Sequence, residues 1–270
     1  MNSTIKTLIA RKIRKNIIKM AFNGSTVHIG CALCLVEIFA VIYRKHLNYD
    51  YLNSNDPGRD FLILSKGHGV MAQYACMKEL GWLKESDLVN YFNDGTELKG
   101  LSDSRVQGLE VTSGSLGHGL SVGIGIAFGH KINKTNQKTF IIVGDGELNE
   151  GSCWEAIQFA GHHELSNVLM IIDKNNFQAM DETSKIINQK NLANQIKAFN
   201  FNVIEVDGHD EVAIDHSICS LFSSQNNKPN CIVANTIKGK GISFMENTND
   251  WHYLRLNQSL YEKALLELEQ

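Results

Sequence analysis

The chain has 270 residues, 43% of them hydrophobic, which is enough to bury a sizeable core as one large domain or two small ones. Its 26 basic and 29 acidic residues are mixed along the chain and leave a formal charge of −3, which speaks against a nucleic-acid or polyanion surface. No apolar run is long enough to span a membrane, and the opening MNSTIKTLIARKIRK lacks the apolar stretch of a signal peptide.

Residues 3–22 predict an amphipathic helix. Ile5, Leu8, Ile9, Ile13, Ile17 and Ile18 fall at helical spacing, with Arg11, Lys12, Arg14, Lys15 and Lys19 as the solvated face. A second helix is expected over 31–47. It carries the only Cys-x-x-Cys, Cys31 and Cys34, in apolar company. With no second Cys/His pair close in sequence, these read as small buried thiols of a reduced, cytoplasmic protein. A loop then leads to the apolar run FLILS, followed by KGHG and a helical stretch over 70–82. KESDLVNYF predicts a further helix capped by Ser86. The segment LEVTSGSLGHGLSVGIGIAFGHK starts as a Gly/Ser-rich loop and becomes a helix, in which Gly123 and Gly125 permit close approach of another backbone.

TFIIV, VLMII, FNVIEV and CIVANT are short, apolar and rich in β-branched residues, with helical or polar segments between them. This pattern predicts an α/β fold: a doubly wound, mostly parallel sheet with helices on both faces. One domain is expected over 1–270, including the N-terminal helices and a C-terminal helical tail. Ligands of such sheets bind beyond the carboxyl ends of the strands. GDGELNEG and IDKNN each close an apolar run there, about thirty residues apart.

That placement suits a diphosphate bridged by Mg2+. Asp145 would offer a carboxylate, Asn175 an amide oxygen and Phe177 its backbone carbonyl. Gly144 and Gly146 let the backbone approach the phosphates, and the helix opening near Gly151 adds its positive end.

Taken with these residues, the sequence resembles the thiamine-diphosphate enzymes, and within them the transketolases. The segments FLILSKGHG, LEVTSGSLGHGLSVGIGIA, GDGELNEGSCWEA, IDKNNFQ, NTIKGKGISFMEN and DWH carry the resemblance, in family order and over essentially the whole chain. The resemblance is to the diphosphate-binding domain alone, as in the N-terminal subunit of a transketolase split into two chains. It implies thiamine diphosphate with Mg2+ (Ca2+ or Mn2+ being able to substitute) and metal ligands Asp145, Asn175 and the Phe177 carbonyl. It implies cofactor contacts by His68, Gly114, Ser115, Leu116, Gly144, Gly146 and His252, and catalytic roles for His28 and His252. Glu150 would stand at the contact between subunits, in a carboxylate network joining two cofactor sites. His46, His130, His162, His163, His209 and His216 carry little sign of a site role.

The chain also departs from the family. Leu101 stands where a histidine usually hydrogen-bonds the donor sugar, His118 where glutamine is usual, and Tyr253 where glycine is common. Leu101 cannot hydrogen-bond. Three readings follow: a different donor, replacement by Ser102 or Ser104, or a slower reaction.

The expected activity is two-carbon ketol transfer from a ketose (phosphate) donor to an aldose acceptor, with a specialised sugar. The alternatives are the α subunit of a 2-oxoacid dehydrogenase, a deoxyxylulose-phosphate synthase relative, or a non-catalytic regulatory half. The pyrimidine-binding domain with its catalytic glutamate lies outside the match. A second copy of this chain and a C-terminal transketolase subunit, together forming α2β2, are therefore expected. They would cover a surface around Glu150, Gly123 and Gly125. Neither nucleic acid nor membrane is an expected partner.

Overall fold

The structure, a computed structural model, describes residues 9–224 and 226–269. Five strands form one sheet: β1 (Phe61–Leu64), β2 (Thr139–Gly144), β3 (Val168–Lys174), β4 (Asn202–Asp207) and β5 (Asn230–Asn235). All pairings are parallel, in the order β1-β2-β3-β5-β4. The helices are α1 (Ala10–Asn23), α2 (Ile29–Leu33), α3 (Val36–Val41), α4 (Val70–Glu79), α5 (Glu85–Val89), α6 (His118–Ile132), α7 (Gly151–His162), α8 (Thr183–Ile186), α9 (Leu192–Ala198), α10 (Glu211–Ser223) and α11 (Gln258–Glu267).

Strand alternation divides the core in two. Leu62, Leu64, Phe140, Ile142, Leu169, Ile171 and Ile232 face one layer, packed by α1 to α4, α10 and α11. Ile63, Ile141, Val143, Met170, Ile172, Cys231 and Val233 face the other, packed by α6, α7 and α9. Side chains on successive strand residues point to opposite faces, so a run apolar throughout needs both faces covered. The expected architecture is met. Edge strand β4 is the exception, since it is only partly buried. Among the described residues, no helix is long and apolar enough to cross a membrane.

Several local expectations are corrected. The helix expected over 3–22 is α1 within the described residues, and its segment 3–8 lies outside them. Arg14 does not belong to a solvated face. It is buried and forms a double contact with Glu37, Nη1–Oε1 at 2.7 Å and Nη2–Oε2 at 3.0 Å. The helix expected over 31–47 is broken into α2, α3 and a single π-helical turn over Ile42–His46. The first interruption falls at Cys34, whose single thiol proton is shared between the Cys31 carbonyl and the Asp173 carboxylate, 3.1 and 3.0 Å from the sulfur.

Ser86 is not the cap of α5. Lys84 is the N-cap, and the Asp87 carboxylate accepts from its backbone N–H at 2.8 Å. Gly123 does not belong to an exposed surface. It is buried, and a Cβ there would meet Ile141 at 2.6 Å, so its close approach is to the chain's own sheet. Gly125 does face open space.

Candidate active site

Four strand ends deliver one set of polar side chains. Lys66 and His68 follow β1, Asp145 follows β2, Asn175 follows β3 and Lys238 follows β5. Lys66, His68, Asp145 and Asn175 line a cavity of about 410 Å3 together with His28, Cys31, Leu101, Gly114, Leu116, Glu147, Gln178, Met180, His252 and Tyr253, while Lys238 is packed behind it against His252. A larger surface cleft, about 720 Å3, lies between α5 and the 93–107 loop, away from these strand ends.

The floor is a buried charge cluster centred on Asp173. Its carboxylate pairs with the Lys66 ammonium, and it also accepts from the Cys34 thiol at 3.0 Å, the Asn175 amide at 2.9 Å and the Thr236 hydroxyl. Burial alone would raise the Asp173 pKa. Lys66 and these donors outweigh it and hold the carboxyl below its usual range. Burial likewise acts to lower Lys66, but Asp173 outweighs it, so the ammonium stays charged.

Asp145 sits above this cluster. Its carboxylate accepts from the backbone N–H of Gly146 at 2.8 Å and of Asn176 at 2.7 Å. Burial first, then the neighbouring Asp173 charge, pushes its pKa up to about 6. A cation beside it would relieve that penalty. The Asn175 amide oxygen accepts from the Phe177 N–H at 3.0 Å, and Asp145 accepts from the Asn176 N–H within that same turn, so the three residues expected as metal ligands are hydrogen-bonded into one patch. Asn176, between them, takes the left-handed conformation (φ 65°), which asparagine tolerates. Glu147 fastens the approach. Its carboxylate accepts from the Ser65 hydroxyl and from the N–H groups of Gly117 (3.0 Å) and Gly144 (3.1 Å), which ties the β1, β2 and α6 ends together.

Three histidines form the opposite wall. Ring centroids lie 5.2 Å apart for His28 and His68, 5.1 Å for His28 and His252, and 5.6 Å for His68 and His252. His28 has φ 66°, a costly conformation for a non-glycine residue. Its N–H donates to the His252 carbonyl at 2.9 Å, which clamps the two loops. Burial, then Lys238, lowers His28 to about 4 and His252 to about 3. Burial, then Lys66, drives His68 well down. All three are neutral at pH 7. The Lys238 ammonium donates to His252 Nδ1 at 3.0 Å, leaving the ring proton on Nε2. His252 therefore offers the cavity its Nε2–H donor, while neutral His28 and His68 each carry one acceptor and one donor.

The sequence-expected residues divide clearly. His28, His68, Gly114, Leu116, Gly144, Asp145, Gly146, Asn175, Phe177 and His252 all line the cavity. Ser115 and Glu150 are exposed and lie outside it. Glu150 instead backs the left-handed turn at Gly117, where an added Cβ would meet its side chain at 2.8 Å. Neither Ser102 nor Ser104 replaces a histidine at Leu101. The buried Ser102 hydroxyl donates to the Val111 carbonyl at 3.0 Å, and Ser104 bonds Thr112 at 3.0 Å. His118 is exposed beside the Leu116 carbonyl. Tyr253 and Leu101 are cavity-lining residues, 58% and 43% exposed, so both stand at its mouth.

Lys66, Asp173, Glu147, Gln178 and Lys238 were not singled out by sequence reasoning. The available signal was a lysine directly beyond each of two apolar strands, in SKGHG and NTIKGKG. Gln178 carries a further sign of a ligand: its buried Nε2 donor has no partner among the described residues, and the residue lines the cavity.

Comparison with known proteins bears on what such a cavity holds. The family model "Transketolase, thiamine diphosphate binding domain" matches residues 5–263. One subunit of an apulose-4-phosphate transketolase from Actinobacillus succinogenes is 36% identical over 262 residues, covering 96% of this chain and 94% of that protein. A 6-deoxy-6-sulfo-D-fructose transketolase subunit of a Clostridium species is 34% identical, covering 96% and 94%. Solved transketolases superpose over the whole chain, those of Leishmania mexicana (TM-score 0.89, 27% identity) and Campylobacter jejuni (TM-score 0.91, 27% identity) among them. The chain spans only 42% and 43% of those two proteins. The parallel sheet, the polar groups at its strand ends and these matches agree: the chain belongs to the transketolase family, in which it corresponds to the thiamine diphosphate-binding domain.

Proposed function

We propose that the chain is the N-terminal, diphosphate-binding subunit of a two-chain transketolase that moves a two-carbon ketol unit from a specialised ketose (phosphate) donor to an aldose acceptor. The observation that carries this reading is the cavity itself. It joins an aspartate that favours a neighbouring cation, a buried ammonium group at Lys66, an unpartnered amide donor on Gln178 and three neutral histidines. Those groups fit a metal-bridged diphosphate below and a polyhydroxylated substrate above.

Asp145, Asn175 and the Phe177 carbonyl would hold Mg2+, or Ca2+ or Mn2+ in its place, each being a hard cation suited to oxygen ligands. Gly144, Gly146, Gly114, Leu116 and His68 would contact thiamine diphosphate. The cofactor supplies the electron sink for carbon–carbon bond cleavage. The protein's own task is to position and to move protons. Neutral His28 can accept a proton from a donor hydroxyl and return it to the product, and the His252 Nε2–H can hydrogen-bond a substrate oxygen beside it. Asp173 keeps Lys66 in place and charged at the cavity floor, where it would face the diphosphate. Leu101 and Tyr253 narrow the mouth with an apolar atom set and an aromatic ring, which favours a sugar unlike the common pentulose phosphates. Relatives named for apulose 4-phosphate and for a sulfonated deoxyfructose support a specialised donor.

Those relatives are themselves named as single subunits of their transketolases, which supports a partner chain here. We place on that partner the pyrimidine-binding domain and its glutamate, in a cytoplasmic α2β2 enzyme of carbohydrate metabolism, with Glu150 and Gly125 at the covered surface. The test is to assay the purified chain with cofactor, Mg2+ and a panel of ketose donors, with and without the candidate partner. Activity is expected only in the mixture. Complete ketol transfer by this chain alone overturns the split-enzyme reading. In the assembled enzyme, Asp145→Ala should abolish thiamine diphosphate binding in titration calorimetry, and unchanged affinity overturns the metal assignment.

A further inference from the structure

A second cluster of ligand-type side chains lies far from the cavity. His46 ends the single π-helical turn after α3, while Asp215 and Cys219 stand one turn apart on α10. His46 Nε2 and Asp215 Oδ1 are 2.8 Å apart, although 169 residues separate them in sequence. One nitrogen, one carboxylate oxygen and the Cys219 sulfur all lie within 4.8 Å of one another. Cys219 is exposed, whereas the other five cysteines are buried.

We propose that His46, Asp215 and Cys219 form a binding site for one thiophilic divalent ion, zinc above all, with water completing the shell. Tetrahedral zinc with bond lengths of about 2.0–2.3 Å sets its ligand atoms roughly 3.3–3.8 Å apart. The observed spacing reaches that by opening the His46–Asp215 contact slightly and drawing the sulfur inward. Residues four apart on a helix share one face, so Asp215 and Cys219 can grip one ion together. The π turn, a form often found at functional positions, carries His46 onto that face. The nitrogen–sulfur–oxygen set selects zinc or cobalt over Mg2+, which prefers six oxygens.

Two charges oppose the ion. Lys45 pairs with the other Asp215 oxygen, and Lys138 lies near His46. The Lys45 side chain is 44% exposed and free to swing away. Binding releases the thiol proton to solvent and requires the imidazole to carry its remaining proton on Nδ1. The ion would clip the π-helical turn after α3 to α10, beside Lys138 at the entry to β2.

The test titrates Co2+ into the full chain, reads the thiolate-to-cobalt charge-transfer band, and displaces it with Zn2+. The expected result is a band saturating at one equivalent, lost in Cys219→Ser and in His46→Ala but retained in Cys31→Ser. Zinc should also raise the Tm of the wild type and of Cys31→Ser, since an ion that binds only the folded state stabilises it, but not that of His46→Ala. The Cys31 control matters because Cys31, His68 and His252 also bring ligand atoms within 4.8 Å of one another in the cavity. Absence of a band overturns the proposal. So does a band that survives Cys219→Ser, one lost only in Cys31→Ser, or one abolished by thiamine diphosphate with Mg2+.

Discussion

Glu37 and Asp173 are both buried carboxylates paired with a cation, and their surroundings separate structure from function. Glu37 takes two contacts from Arg14 and one from His209 Nδ1 at 2.9 Å. Arg14 Nε is used up on the Lys240 carbonyl at 2.8 Å, and His209 Nε2 accepts from the Ile237 N–H at 2.8 Å. Every arm ends within the protein, and the cluster ties α1 and α3 to the segments beyond β4 and β5. The Asp173 cluster instead reaches an open cavity through Lys66 and Asn175, and the same cavity is lined by Gln178, whose donor is unpartnered among the described residues. A buried ion pair alone therefore says little about a site. What identifies one is polar capacity left over at a cavity wall.

The comparison can be broken most forcefully by removing one partner from each pair. Glu37→Gln leaves Arg14 buried without its counter-charge, at an expected cost of about 3–5 kcal/mol. Thermal melting should show a Tm lower by on the order of 10 °C, with thiamine diphosphate affinity unchanged below the melt. Lys66→Met strands Asp173 at a similar cost, but calorimetry should also show cofactor affinity falling at least tenfold. Equal effects on affinity from the two variants would erase the distinction.

Acid unfolding sharpens it. Burial acts to raise Glu37, but His209 and Arg14 outweigh it, so its pKa lies below 4.5 in the folded state. Its stabilisation is full above the unfolded value and is lost as pH falls through the lowered folded one. The cavity histidines act at higher pH. Their unfolded pKa is about 6.5, against folded values of about 4 for His28 and about 3 for His252. The unfolded chain gains protons first, so their contribution is complete above about 6.5 and declines down to about 3. In Tm measured against pH, Glu37→Gln should flatten the profile below about 4.5. The double variant His28→Asn with His252→Asn should flatten it between about 6.5 and 4.

A smaller change is expected at the mouth. Leu101→His should improve kcat/KM for common pentulose phosphate donors by about 1–3 kcal/mol, the range for pairing a substrate hydroxyl otherwise left buried and unsatisfied. No gain in a wild type already efficient on those donors would remove the role given to Leu101. The smallest pair contrasts two neighbours on α6. Gly123→Ala should lower Tm, because its Cβ would press on Ile141. Gly125→Ala meets open space and should raise the Tm of the isolated chain slightly, by up to about 1 kcal/mol of helix propensity. A loss of partner binding in that variant, read by analytical ultracentrifugation, would place Gly125 at the covered surface.

The sheet was legible because its strands are apolar on both faces, and Asp145 and Asn175 were legible because they end two of them. Arg14 was not, since its partner Glu37 comes from another helix and its position on α1 matches that of the exposed lysines. The break at Cys34 was hidden for a related reason: an uninterrupted apolar run looks the same whether or not a thiol turns to a distant Asp173. Ser102 looked available because nothing in the sequence shows its bond to Val111. His46 looked ordinary because Asp215 and Cys219 lie so far along the chain. Local periodicity records which face a residue takes. It does not record which distant group meets it there.

Leu101 and Tyr253 reach the cavity from loops, whereas Lys66, Asp145 and Asn175 are fixed by the ends of β-strands. The loop bearing Leu101 is held by backbone bonds, from Ser102 N–H to the Gly67 carbonyl and from Ser113 N–H to the Ser102 carbonyl. Those bonds are indifferent to the side chain at position 101. Mutation can therefore rewrite the mouth while the floor keeps its geometry. This division separates variation from constraint: substitutions at two loop positions can reshape the mouth without moving the charged groups fixed by the strand ends.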